Sequence, residues 1–141
     1  HTRPRTRGWS CHVTGDNYLA FRNGLVGPKV ADAISAGFLA EPDADLEHRL
    51  LMGIEAGRDA GGQGTVDRHK PERSAALIVY SQHAYADIDL RVDLHATAIE
   101  ELRRVWLEYK KYEAYYRDRG RNPRGAIGQE AFMATLAPAE G

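Results

Sequence analysis

From Asp87 to Asp93 polar and apolar side chains alternate without exception. Asp87, Asp89, Arg91 and Asp93 fall on one face, and Ile88, Leu90 and Val92 on the other. A period of two with β-branched residues predicts a half-buried strand. Just upstream, Ser74–Tyr80 sets Ala75, Leu77 and Val79 against Ala76 and Ile78. Apolar side chains on both sides predict a strand covered on both faces. Two weaker strand patterns come first, at Trp9–Tyr18 and from Leu19 onward, with a turn signal at Gly15-Asp16-Asn17. Asn23-Gly24 then reads as a tight turn.

The helical period is as plain as the alternating one. Pro28 opens a helix over Lys29–Ala40, with Val30, Ala33, Ile34, Gly37 and Phe38 on one stripe and Pro42 to stop it. Asp43 or Asp45 suits the N-cap of a second helix, Leu46–Ala60, whose buried side is Leu46, Leu50, Leu51 and Ile54. His48 falls on its solvated side. Gly61-Gly62-Gln63-Gly64 ends that helix and opens a polar loop to Arg73. Thr97 caps a long helix, Ala98–Arg119, with Ile99, Leu102, Val105 and Trp106 on its apolar side. Tyr109, Tyr112, Tyr115 and Tyr116 continue it as a packing or oligomer surface. A short last helix over Ile127–Leu136 turns Phe132 and Leu136 inward.

Composition adds limits rather than direction. A chain of 141 residues, 43% apolar and 28% charged, suits a globular domain with a core of its own. A net charge of −1 removes the usual argument for nucleic acid. Cys11 is the only cysteine, which excludes an internal disulfide and favours a reducing, cytoplasmic setting. No apolar run reaches the ~20 residues that span a bilayer, and no signal peptide is visible. The leading His1–Gly8 is basic and reads as an extended, solvated loop. The chain does not start with Met, which fits a tag scar, absent leading residues or a processed fragment.

Several side chains are candidates for chemistry. Three acids and an arginine on one strand face make either a paired electrostatic ladder or the wall of a polar site. Cys11 and His12, adjacent in a strand, point to opposite faces and so form no nucleophile–base pair with each other. His12, beside a turn, is the better site candidate, and Cys11 reads as a small buried residue. Asp67 and Arg68 lie on the glycine-rich loop, within reach of a site at the sheet edge. That loop is no phosphate cradle, because no strand precedes it and no Gly-Lys-Ser/Thr follows. Nothing in the spacing calls for a metal or another cofactor.

The motifs Trp9-x-x-His12-x-Thr14-Gly15-x-x-Tyr18, Asn23 with Leu25, Gly27-x-x-Val30, the SAAL run at Ser74–Leu77, the DLRVD run at Asp89–Asp93 with His95, and Glu101-Leu102-Arg103-Arg104 come in a recognisable order. Together they resemble the C-terminal part of a bacterial family catalogued as domain of unknown function 1028, which is Ntn-hydrolase-like. The likeness runs from about Gly8 to Val105. Arg22 and Cys11 stand where the family usually has glycine, Arg73 replaces a glutamine, and Leu94 replaces an aspartate. The family's N-terminal half, with the Thr or Ser taken as its nucleophile, has no counterpart here.

The resemblance implies an α+β fold that is part of an αββα sandwich, antiparallel strands with helices on the outer faces. Residues 1–119 would form that part, and 120–141 an extension with a short helix. Two clear strands and two weaker ones are too few to close such a sandwich, so a partner segment or chain of the same protein is expected to supply the rest. The implied activity is hydrolysis of an amide-like C–N bond in a small molecule. Asn23 and Asp93 would be catalytic, and His12, Asp67, Asp89, Arg91 and His95 would bind substrate. A homo-oligomer is expected, with no nucleic acid and no membrane. Asn23 reads equally well as a turn residue, and the acid–arginine face as a salt-bridge ladder. Cleavage before Thr2 would expose a threonine N-terminus, a further route to a nucleophile. The competing expectation is a binding or assembly module of the same fold with no catalysis.

Overall fold

The computed structural model describes residues 9–65 and 68–136. The expectations for His1–Gly8, Thr2 and Asp67 lie outside the described residues. The chain divides into two compact units, one through Arg103 and one from Arg104 onward. Its elements run β1 (Trp9–Gly15), β2 (Tyr18–Leu25), α1 (Lys29–Leu39), α2 (Leu46–Asp59), β3 (Gln63–Thr65), β4 (Arg68–Lys70), β5 (Ala75–Val79), β6 (Ile88–Val92), α3 (Ala98–Arg121) and α4 (Gln129–Leu136). All neighbouring strands are antiparallel, in one sheet of order β1-β2-β3-β4 and a second of β5-β6. The α+β class therefore holds, with two more strands than expected. Both additions, β3 and β4, sit in what reads as a polar loop.

β1 and β2 form a hairpin closed by the pair Gly15↔Tyr18 around Asp16-Asn17, with Asn17 at φ 63°. Asn23-Gly24 is not the tight turn that its sequence suggests. It lies inside β2, where the register passes from Cys11↔Arg22 to Trp9↔Leu25 and leaves two residues opposite Ser10. That is a β-bulge, and Gly24 takes its left-handed position at φ 67°. Asn-Gly serves either purpose, because both need a residue that accepts positive φ.

β5 departs from the sequence reading too. Leu77 is buried, but Ala76 and Ile78 face outward, and Ile78 is 48% exposed. Only one face of this strand is covered. β6 keeps its predicted phase, with Ile88 and Val92 buried and Asp89 and Arg91 exposed.

Two helices, α1 and α2, lie against the sheets. α1 packs on the β1–β2 hairpin, α2 packs on β5, and the two helices pack tightly on each other. Small residues make that crossing close. A Cβ at Gly37 would lie 2.6 Å from the Met52 carbonyl oxygen and 2.7 Å from Ala56 Cβ. The core holds Leu25, Val30, Ala31, Leu51, Leu77, Ile88, Ala98, Ile99 and Leu102. Glu47 of α2 is also buried, whereas Leu46, expected on the buried side, is 45% exposed. The start of α3 is tied to α2 by Arg103, whose Nε and Nη2 donate to Glu55 Oε1 and Oε2 at 2.8 and 2.6 Å. His48 is not simply solvated: its Nδ1 accepts from Arg103 Nη1 at 3.0 Å.

In the second unit, Phe132 of α4 stacks on Tyr115 of α3, with ring centroids 4.1 Å apart and planes 6° off parallel. Tyr112 meets the same ring edge-on at 5.8 Å. The tyrosine cluster thus provides an intramolecular packing surface, and the Tyr115 hydroxyl accepts from Arg119 Nη1 at 2.8 Å. No helix among the described residues is long and apolar enough to cross a membrane.

Candidate functional site

Strand alternation decides where the candidate residues point. On β1, Cys11, Val13 and Gly15 turn toward the helices, which leaves His12 and Thr14 on the other face. On β2, Ala20, Arg22 and Leu25 turn inward and Leu19, Phe21 and Asn23 outward. His12 stands directly opposite Phe21. On the second sheet, Asp89 is opposite Ile78 and Arg91 opposite Ala76, all exposed. His12 and Asn23 thus lie on the exposed face of the first sheet with Leu19 and Phe21, and Asp89 and Arg91 on the exposed face of the second with Ile78.

The remaining candidates lie past the end of β6. Asp93 accepts from Arg91 Nη2 at 2.9 Å, with side chains 81% and 61% exposed. That hydrogen bond and the carboxylate charge push the Arg91 guanidinium pKa up. His95 turns back on the chain. Its backbone N–H donates to the Arg73 carbonyl at 2.9 Å, and its Nδ1 accepts from the Thr97 N–H at 3.1 Å. The Thr97 hydroxyl is also 3.1 Å from Nδ1. This hydroxyl–imidazole pair has the elements of a nucleophile and base, but the ring nitrogen already serves the backbone at the head of α3. His95 reads as a helix-start cap.

A concavity lies elsewhere in the first unit. A cavity of about 570 Å³ is lined by Tyr18–Arg22, by Ile34, Ser35 and Phe38, by Leu46, Leu50, Gly53 and Ile54, and by Gln63, Glu72 and Ser74–Ala76, with Asn17 and Ile99. Its helix side is largely apolar, and the stripe Leu46–Leu50–Ile54 of α2 faces it. Two polar ties mark it. Tyr18 Oη and Ser35 Oγ are 2.5 Å apart, joining β2 to α1. Glu72 Oε1 accepts from Arg22 Nη2 and from the Gln63 N–H, both at 3.2 Å.

Among the described residues, none of the sequence-derived site residues lines this cavity. Tyr18 belongs to a motif, and Arg22 marks a departure from the family pattern, but nothing local in the sequence assigns either a partner. Ser35 and Glu72 carry no signal at all. No group of three or more His, Cys, Asp or Glu among the described residues could hold a metal ion.

Residues 1–102 match a family model described as a family of unknown function, DUF1028. No curated protein matches the chain, and no solved structure does.

Proposed function

The chain belongs to the DUF1028 family, and on that premise we propose that it forms part of a hydrolase acting on an amide-like C–N bond of a small molecule. The single observation behind this reading is that His12 and Asn23 stand on the exposed face of the first sheet and Asp89 and Arg91 on the exposed face of the second. In this reading α1, α2 and the antiparallel sheets would form part of an αββα sandwich, and a further sheet laid on those exposed faces would enclose the four side chains.

In this reading the nucleophile is an N-terminal Thr, Ser or Cys on a segment beyond the described residues. Its oxygen or sulfur adds to the substrate carbonyl while its own α-amine takes the proton. The C–N bond then breaks, and the leaving amine departs with that proton. Water hydrolyses the acyl intermediate, which releases the acid and restores the nucleophile. Asn23 Nδ2 would donate to the developing oxyanion. Asp93 would orient the attacking group through Arg91, with which it pairs. His12, Asp89 and Arg91 would engage polar groups of the substrate.

The test is release of amine from a panel of N-acyl amino acids and their amides by the full-length protein. Turnover that falls by roughly 10²-fold in Asn23→Ala, with the fold intact, supports the reading. No turnover, or turnover indifferent to Asn23, removes it in favour of a binding or assembly module.

A further inference from the structure

Two strand edges face the same cavity. In the β1–β2 hairpin the pairs Gly15↔Tyr18, Val13↔Ala20 and Cys11↔Arg22 exchange backbone hydrogen bonds, because a two-residue loop makes its closing pair a bonded one. The N–H and C=O groups of Leu19 and Phe21 must then point away from β1. Their side chains are 55% and 71% exposed on the opposite face, yet both residues line the cavity, which is what outward-pointing backbone edges require. Across the cavity run Ser74, Ala75 and Ala76, on the edge of β5 away from β6. No residue of β1 or β6 reaches it. Among the described residues, neither edge is paired along this stretch.

β3 shows that the β2 edge accepts a strand. It occupies that edge at Leu25↔Gln63, with Val26 N–H donating to the Gly62 carbonyl at 3.4 Å, and Gln63 itself lines the cavity. We propose that the cavity is a strand-addition site. An extended polypeptide segment of about four or five residues enters in line with β3, pairs with Leu19 and Phe21 on one side and with β5 on the other, and joins the two sheets.

The surroundings fix the chemistry of that segment. Its helix-facing side chains meet Ile34, Phe38, Leu50 and Ile54. Its outward side chains continue a surface of Leu19, Phe21 and Ile78. The charged pair at the cavity end, Arg22–Glu72, is already satisfied. The occupant is therefore apolar on both faces, β-branched, and free of proline at its bonding positions. This inference stands apart from the hydrolase reading, and its test needs no substrate.

The probe is the blocked peptide acetyl-Lys-Thr-Val-Ile-Val-Thr-Lys-amide, added to the full chain, with amide hydrogen exchange as the readout. The expected result is fast exchange at Leu19 and Phe21 in the free protein and roughly tenfold or greater slowing at saturating peptide. The same peptide N-methylated at alternate residues should give no slowing. Leu50→Glu and Ile54→Ser, each checked for an unchanged exchange pattern in β1, should weaken the effect. Three outcomes overturn the proposal: amides already protected without peptide, no added protection, or equal protection by the N-methylated peptide.

Discussion

Arg22 on β2 and Glu72 ahead of β5 stand 50 residues apart in the chain and meet at 3.2 Å, tying the first sheet to the segment that leads into the second. The two side chains are 20% and 9% exposed. Glu72 also accepts the Gln63 N–H, so Glu72→Ala strands a guanidinium and a backbone donor together. The expected loss is about 2 kcal/mol in urea unfolding. Glu72→Gln keeps a neutral acceptor for one of the two donors and should cost clearly less.

The Tyr18–Ser35 hydroxyl pair ties the same strand to α1. Ser35 is 7% exposed, so each of Tyr18→Phe and Ser35→Ala should cost about 1 kcal/mol. The double variant should cost much less than the sum, because the second change removes a partner already lost. A double-mutant cycle with no coupling would show that the two hydroxyls do not interact in solution.

Two glycines should respond in opposite senses to alanine. At Gly37 the new Cβ meets the Met52 carbonyl at 2.6 Å, a backbone group that yields only if α1 and α2 move apart. Gly37→Ala should lower stability by about 1–3 kcal/mol. Gly120 lies within α3 with nothing inside 4 Å of such a Cβ. Gly120→Ala should be neutral or raise stability by up to ~1 kcal/mol. Thermal unfolding of the two variants distinguishes them directly.

Asp59, at the end of α2, has its carboxyl pKa lowered by the Arg58 Nε hydrogen bond at 2.8 Å. A depressed folded-state pKa means that the charged form favours the folded chain. The stabilisation is complete above the unfolded carboxylate pKa of about 3.9 and is lost as pH falls through the lower folded value. Asp59→Asn should therefore melt slightly below the parent chain at neutral pH. The gap should close as the solution is acidified through the carboxylate range. Asp59 is largely exposed, at 66%, so the gap is small and shrinks with salt.

What the sequence made legible follows the range of the forces involved. The helices and β6 are set by local periodicity, so α1, α2 and β6 fall within a residue or so of their expected bounds. Where one local pattern serves two structures, the reading fails. Ile78 is as apolar as Leu77, and only the packing of α2 decides which is covered. Asn23-Gly24 supplies positive φ to a bulge as readily as to a turn. β3 and β4 are three residues each and polar, so the ladder between them leaves no apolar trace. The cavity was illegible for a stronger reason: Arg22–Glu72 and Tyr18–Ser35 join residues far apart in sequence, and pairing at that range is a property of the fold.

The exposed faces of the two sheets also govern how the described residues behave as a solute. Phe21 at 71% exposure, Leu19 at 55% and Ile78 at 48% put aromatic and branched carbon where water must be ordered around it. Sulfate and higher protein concentration should therefore both drive reversible self-association. A further sheet seated on those faces would turn this sticky molecule into a freely dispersed one.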